Sequence, residues 1–155
     1  MEGGADTRIA DVGDAERIGH LLHDFNTEYH DVTPGPVALA IRIGELLSAG
    51  ETTILLSGDP CCGLAVLRFR PSIWTPGLEC YLAELYVVPE RRGQGIGRRI
   101  MLAAIDTARL AGADYMDLGT SEDDTVARRL YESLGFTNRE PTPGSPVSYY
   151  YELEL

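Results

Sequence analysis

The sequence predicts a mixed α/β domain, antiparallel in its early strands and completed by a strand-helix-strand-helix unit. Two patterns support this. Short strand-like runs separated by turn residues fill positions 52–88, and consecutive strands with short connections favour an antiparallel meander. From Arg98 onward, apolar residues fall instead on two helical stripes with one short strand between them.

Taken in order, Thr7 to Asp11 reads as a short first strand. Ala15, Ile18, Leu22 and Phe25 recur at helical spacing behind Asp14, a candidate cap. Asn26 to Pro36 is polar and ends in Thr33-Pro34-Gly35-Pro36, so a loop is expected there. Pro36 suits the first turn of a second helix, with Ala40, Ile43 and Leu47 facing inward and Gly50 as its stop. Thr52 to Ser57 and Cys62 to Phe69 read as strands about the turn Gly58-Asp59-Pro60. The loop Arg70 to Gly77 carries the only tryptophan, Trp74, and Glu79 to Val88 is a third run closed by Pro89. Ile100, Met101, Ala104, Ile105 and Ala108 form a stripe over Arg98 to Ala111, which Gly112 ends. Tyr115 to Thr120 is a short strand. Ser121 to Asp124 reads as a helix start, and Val126, Leu130 and Leu134 carry that helix to Gly135. In the tail, Tyr149, Tyr151, Leu153 and Leu155 alternate with Tyr150, Glu152 and Glu154, the pattern of a half-buried strand.

The chain has 155 residues, the size of one domain with one core, so residues 1–155 are expected to form a single domain. Met1 to Arg8 contain no apolar run, and no stretch approaches the roughly 18 residues of a membrane span. A cytoplasmic protein with no membrane partner is expected. The formal net charge of -11 repels phosphate backbones and argues against nucleic acid, while it would attract cationic small molecules. Cys61, Cys62 and Cys80 are an odd set without CxxC spacing, which supports neither a disulfide framework nor a zinc site; all three read as small buried hydrophobes. His20 and His23 stand three apart without further ligands, so no metal is expected. A monomer and a homodimer are both compatible with the sequence.

The chemistry lies in Leu85-Tyr86-Val87-Val88-Pro89-Glu90-Arg91-Arg92-Gly93-Gln94-Gly95-Ile96-Gly97-Arg98. A strand ends, a glycine-rich turn follows, and a helix begins. Glycines at 93, 95 and 97 remove side chains, so successive backbone N–H groups can converge on one anion. The positive end of the helix dipole points to the same place, and Arg91, Arg92 and Arg98 add charge. The turn is a candidate diphosphate cradle. It is not a Walker A loop, because Arg98-Arg99 follows Gly97 where Lys and Ser or Thr would be needed. A dinucleotide loop fails too, because Arg98 stands where the third glycine belongs, although Asp117 lies about twenty positions on.

The spacing Arg92-x-x-Gly95-x-Gly97 after a strand, followed by Tyr131-Glu132-Ser133-Leu134-Gly135-Phe136 at the end of a later helix, resembles the GCN5-related N-acetyltransferase (GNAT) superfamily. The resemblance is close over residues 82–136 and looser from residue 7 to the end. It implies a splayed central sheet and acetyl-coenzyme A as donor, with direct transfer to an amine in a ternary complex. The pantetheine arm would pair with backbone at Leu85, Tyr86 and Val87, acting as an extra strand. The pyrophosphate would rest on Arg92, Gly93, Gln94, Gly95, Ile96, Gly97 and Arg98. Asp124 would flank the pantetheine, at a position where the family often has asparagine.

Tyr131, seven residues after Asp124 and so about 10 Å along one helix face, becomes the acid that protonates the leaving thiolate; otherwise it packs the helix end. Glu84, sharing a strand face with Leu82, Tyr86 and Val88, could take the amine's proton, or pair with a charge across the sheet. No histidine stands near the cysteines in sequence, which disfavours a cysteine acyl intermediate. The resemblance places the acceptor among Phe25, Asn26, Glu28 and Tyr29 and the loop holding Trp74. Aromatic rings with a carboxylate suit a cationic amine, though the same residues could simply pack the loops. A small-molecule amine is the expected acceptor. A non-catalytic coenzyme A sensor and an acetyltransferase for protein N-termini or lysines are the alternatives.

Overall fold

The computed structural model describes residues 6–155. They fall into two compact units, the first ending at Leu118 and the second running from Gly119 to Leu155.

The first unit holds β1 (Thr7–Ile9), α1 (Ala15–Glu28), α2 (Pro36–Ala49), β2 (Thr52–Ser57), β3 (Gly63–Pro71), β4 (Leu78–Val87), α3 (Ile96–Leu110) and β5 (Ala113–Leu118). Its sheet has the order β1-β2-β3-β4-β5, antiparallel up to β4 and parallel from β4 to β5. The switch to parallel follows from the connection, since α3 must carry the chain back along the sheet before β5 can begin. Against one face, Ile18, Leu21 and Leu22 of α1 and Ile43 of α2 pack on Ile54, Leu56, Leu64, Val66 and Tyr86. The buried stripe of α3 (Ile96, Ile100, Met101, Ala104, Ala108) faces the other side. Two glycines make these approaches possible. A Cβ at Gly19 would lie 2.6 Å from the Pro36 carbonyl oxygen of α2, and one at Gly63 would lie 2.8 Å from Ile100 Cδ1 of α3.

Several local expectations are corrected. Asp14 does not cap α1 with its side chain. Its carboxylate accepts from Arg8 at 2.7 and 2.8 Å and from the Asp11 N–H, closing a single turn of 3-10 helix at Val12–Asp14. Helix α1 reaches Glu28, with the Asn26 amide donating back to Leu22 O at 2.8 Å, so the loop starts at Tyr29. Cys61 and Cys62 lie in the turn before β3 and only Cys80 is on a strand; Cys62 and Cys80 are buried, whereas Cys61 is half-buried.

One irregularity bears on function. Opposite β4, Val66 pairs with Glu84 but Leu67 pairs with Leu82, leaving Ala83 as a bulge. Neighbouring residues of β3 point to opposite faces, so the extra residue turns Glu84 away from Leu82's face and toward that of Val66 and Tyr86. The expected common face of Glu84 and Leu82 is thereby corrected.

In the second unit, α4 (Thr125–Ser133) is capped by Asp124, whose Oδ1 accepts the Ala127 N–H at 3.2 Å. The helix therefore begins after Asp124 rather than at Ser121, since the cap residue itself stands outside the helix. The tail does not form the expected strand. Residues 148–155 carry no strand pairing, Arg139 and Val147 make one isolated bridge, and Tyr149, Tyr151, Leu153 and Leu155 are exposed. Alternation marks a chain that could fill a sheet face, but a strand also needs a partner to satisfy its backbone.

Candidate active site

β4 outruns its parallel neighbour. The pairing with β5 ends at Leu82 opposite Leu118, while β4 continues to Val87. Val88 N–H donates to the O of Cys62, the residue just before β3, at 2.9 Å. With Gly63 opposite Val87 and Leu64 opposite Tyr86, alternation turns the amides of Tyr86 toward β3 and those of Leu85 and Val87 toward the unpaired edge. Of the three residues expected to pair with a pantetheine, Leu85 and Val87 offer backbone in the required direction. Tyr86 does not; its ring packs on α1, stacked on Phe25 with centroids 4.8 Å apart.

Beyond Val88 a turn of 3-10 helix (Pro89–Arg91) leads into the glycine loop. Gly93 and Gly95 both adopt φ of +75°, in the left-handed region, and Gly95 is the N-cap of α3. Side chains hold the loop from its flanks: Arg91 Nε donates to Gln94 Oε1 at 3.2 Å, and Arg99 Nη1 to Gln94 O at 3.2 Å. The first N–H groups of a helix have no partner within it, and here they include those of Ile96 and Gly97. Alternating handedness over glycines with a helix N-terminus behind them is the backbone form that cradles phosphate oxygens. Gly93 has open space around its Cβ position, and a Cβ at Gly95 would meet Arg99 Nη1 at 3.4 Å. The loop thus fits a bound diphosphate.

Arg92 is the exception within the loop. Its Nη2 donates to both oxygens of Glu28, at 2.8 and 3.0 Å, and its Nε to Val87 O at 2.9 Å. The guanidinium also lies 5.6 Å from the centroid of the Tyr86 ring. Its side chain is engaged with the end of α1, so the charge expected for a pyrophosphate is already neutralised by a carboxylate. Glu28 is in turn committed and does not offer an open carboxylate to a cation.

Glu84 is half-buried, and its carboxyl is pushed above the ordinary glutamate value, first by burial and then by the nearby charge of Asp31 in the loop after α1. Phe25 and Tyr29 meet edge to face, 5.3 Å between centroids. Structure thus gathers Phe25, Glu28, Tyr29, Asp31, Glu84 and Arg92 around the end of α1. Trp74 is not among them. It is 86% exposed at the tip of the β3–β4 hairpin, and β4 lies between it and Tyr86, a run of roughly 30 Å at about 3.3 Å per residue. Sequence reasoning missed Asp31 and the partner of Arg92, neither of which has a local signal.

In the second unit, Tyr131 is buried, with its ring edge on Phe136 at 6.0 Å. Burial, then the charge of Asp124, pushes its phenol up to about 12. Burial likewise raises the Cys80 thiol to about 11 and lifts that of Cys61. Among the described residues no group of His, Cys, Asp or Glu is placed to hold a metal, and no helix is long and apolar enough to cross a membrane.

Comparison with known proteins gives this arrangement, a split parallel pair with a left-handed glycine loop at its mouth, a family. Residues 16–136 match the acetyltransferase (GNAT) family, and the chain belongs to it. A protein of Arthrobacter sp. FB24 assigned as an acetyltransferase superposes with a TM-score of 0.90 at 42% identity, covering 99% of each chain. The thialysine N-epsilon-acetyltransferase of Mus musculus is 30% identical over 96% of this chain and 91% of its own length. The mycothiol acetyltransferase of Thermobispora bispora is 47% identical over 64 residues, 39% of this chain and 22% of that protein. The family's donor is acetyl-coenzyme A.

Proposed function

We propose that the chain acts as one N-acetyltransferase domain that moves the acetyl group of acetyl-coenzyme A to the primary amine of a small, cationic acceptor. The observation that carries this reading is the unpaired edge of β4 from Ala83 to Val87 leading directly into the left-handed glycine loop. Leu85 and Val87 would pair with the pantetheine, and the backbone of Gly93 to Arg98 would hold the pyrophosphate. Acetyl-coenzyme A supplies an activated thioester. Glu84, with its raised affinity for a proton, would take one from the ammonium or the attacking amine, since only the neutral amine has a free electron pair. Tyr131 would donate its phenolic proton to the departing sulfur. The raised thiols of Cys61 and Cys80 support direct transfer, because a protonated thiol is a poor nucleophile.

Phe25 and Tyr29, with Asp31 and Glu84 beside them, offer ring faces and carboxylates to an ammonium group. The similarity to a thialysine acetyltransferase along almost the whole chain favours an aliphatic primary amine on an amino-acid-sized molecule. The test is thiol release from acetyl-coenzyme A with thialysine, lysine, a polyamine, an aminoglycoside and an N-terminal peptide, alongside melting curves. A ligand at a hundred times its dissociation constant adds about 2.7 kcal/mol of stability, so the melting temperature should rise with acetyl-coenzyme A and little with NAD. A rise without turnover on any amine would favour a sensor. No rise at millimolar ligand, or a larger one with NAD, would overturn the cofactor assignment.

A further inference from the structure

Arg92 opens the glycine signature, yet its side chain is spent on residues outside the loop. One amino group spans both oxygens of Glu28, the last residue of α1, and Nε holds the carbonyl of Val87, the last residue of β4. That carbonyl belongs to the amides turned toward the unpaired edge. A charge-assisted pair of this kind fixes direction as well as distance, because the guanidinium is planar and its donors are set at fixed angles. A second layer runs beside it. Tyr86 lies under the guanidinium, Phe25 is stacked on Tyr86, and Tyr29 sits edge-on to Phe25. The end of α1 is thus joined to the end of β4 by one ionic and one aromatic link, where the cofactor loop begins.

We infer that Glu28 is a positioning residue for the cofactor: through Arg92 it holds the Val87 carbonyl and the entry to the glycine loop, ordering them together with the end of α1. This rests on the proposed cofactor reading of the loop. An ammonium acceptor seeking Glu28 would have to displace a cation already bound to both its oxygens. Tyr29 and Asp31 follow Glu28 directly, so whatever fixes the end of α1 also fixes the start of the acceptor-side loop. Binding on either side is therefore linked to binding on the other, and the linkage is reciprocal.

The test is a double-mutant cycle on the full chain, with coenzyme A itself as the titrant in calorimetry at low salt. Glu28→Gln is isosteric and Arg92→Gln keeps a polar, though shorter, side chain, both at partly exposed positions, so the fold should survive, which circular dichroism checks. Glu28→Gln should weaken coenzyme A binding about three- to fivefold, the scale of a partly exposed ion pair. Introduced into Arg92→Gln, it should add no further loss, because Glu28 acts only through the guanidinium. Less than a twofold effect of Glu28→Gln, or an equal loss in both backgrounds, overturns the inference. So does a rise confined to the KM of the amine with the coenzyme A affinity unchanged, which would make Glu28 an acceptor residue. Failure of the wild type to bind coenzyme A would instead remove the function proposed above, and this inference with it.

Discussion

The loop between β4 and α3 and the C-terminal end of α1 lie at the same end of the sheet and are built in opposite ways. In the loop the conformation is written in the backbone: Gly93 and Gly95 hold φ of +75°, where side-chain-bearing residues are strained. At the end of α1 the arrangement is written in side chains, with Glu28 held by Arg92, 64 positions away, and Phe25 by the ring of Tyr86. A backbone-written conformation depends first on its own residues, so it should fail when bulk is added and respond only modestly, through Arg92 at its entry, to a change of charge. A side-chain-written site should behave the other way. Substitutions of one atom or one charge separate the two kinds.

The largest effect should come from one oxygen atom. Tyr131→Phe keeps the ring and its contact with Phe136 and removes only the hydroxyl. If the phenol protonates the leaving sulfur, kcat should fall by about 10²–10⁴-fold with coenzyme A affinity unchanged, since the proton moves only in the transition state. Because the phenol is pushed up to about 12, it keeps its proton through the neutral range, and no limb of the wild-type pH profile below about pH 10 should belong to it. A variant that keeps more than about a third of kcat while chemistry limits the rate would make Tyr131 a packing residue.

Glu84→Gln should come next, with kcat down by about 10²-fold. The acid limb of kcat/KM in the wild type should lie above the ordinary carboxylate value and vanish in the variant; a limb that persists would place the base elsewhere. Stability gives an independent check. A carboxyl raised in the folded state favours folding while protonated and loses that advantage as pH rises through its raised value. Relative to wild type, the variant should therefore gain melting temperature at neutral pH and gain nothing well below the usual glutamate range.

Gly95→Val probes the backbone-written region directly. A β-branched residue at φ of +75° costs on the order of 1–2 kcal/mol, and its side chain would stand toward Arg99. Coenzyme A binding should weaken at least tenfold while circular dichroism stays close to wild type. Affinity within twofold of wild type would reduce the loop to a turn.

The same contrast explains what could be read in the sequence. The strand-glycine-helix passage was legible from Leu85 to Arg98 because each glycine states its own conformational need. The stripe of α3 was legible because Ile100, Met101, Ala104 and Ala108 share one face whatever lies opposite. The bulge at Ala83 was not, because period-2 alternation has no symbol for an extra residue, and that residue decides which face Glu84 takes. Nor was the engagement of Arg92, since nothing near either residue marks Glu28 as its partner. The tail misled for a related reason: Tyr149, Tyr151 and Leu153 alternate correctly, but alternation does not supply a neighbouring strand.

The smallest effect separates a structural carboxylate from a cofactor contact. Asp124 stands at the N-cap of α4 and takes the Ala127 N–H, a duty that asparagine performs about as well as aspartate. Asp124→Asn should therefore leave stability within about 0.5 kcal/mol, whereas Asp124→Ala, which loses the acceptor, should cost about 1 kcal/mol. The asparagine variant also removes a negative charge that raises the Tyr131 phenol. The phenol should become more acidic, and its titration, read as the difference between this variant with and without Tyr131→Phe, should move down toward the ordinary tyrosine value without reaching it, because burial is the larger cause. If Asp124 acts only as a cap, coenzyme A affinity should be the same in the aspartate and asparagine forms. A clear gain in affinity for Asp124→Asn would show that the side chain also meets the cofactor, where an amide can donate and a carboxylate cannot.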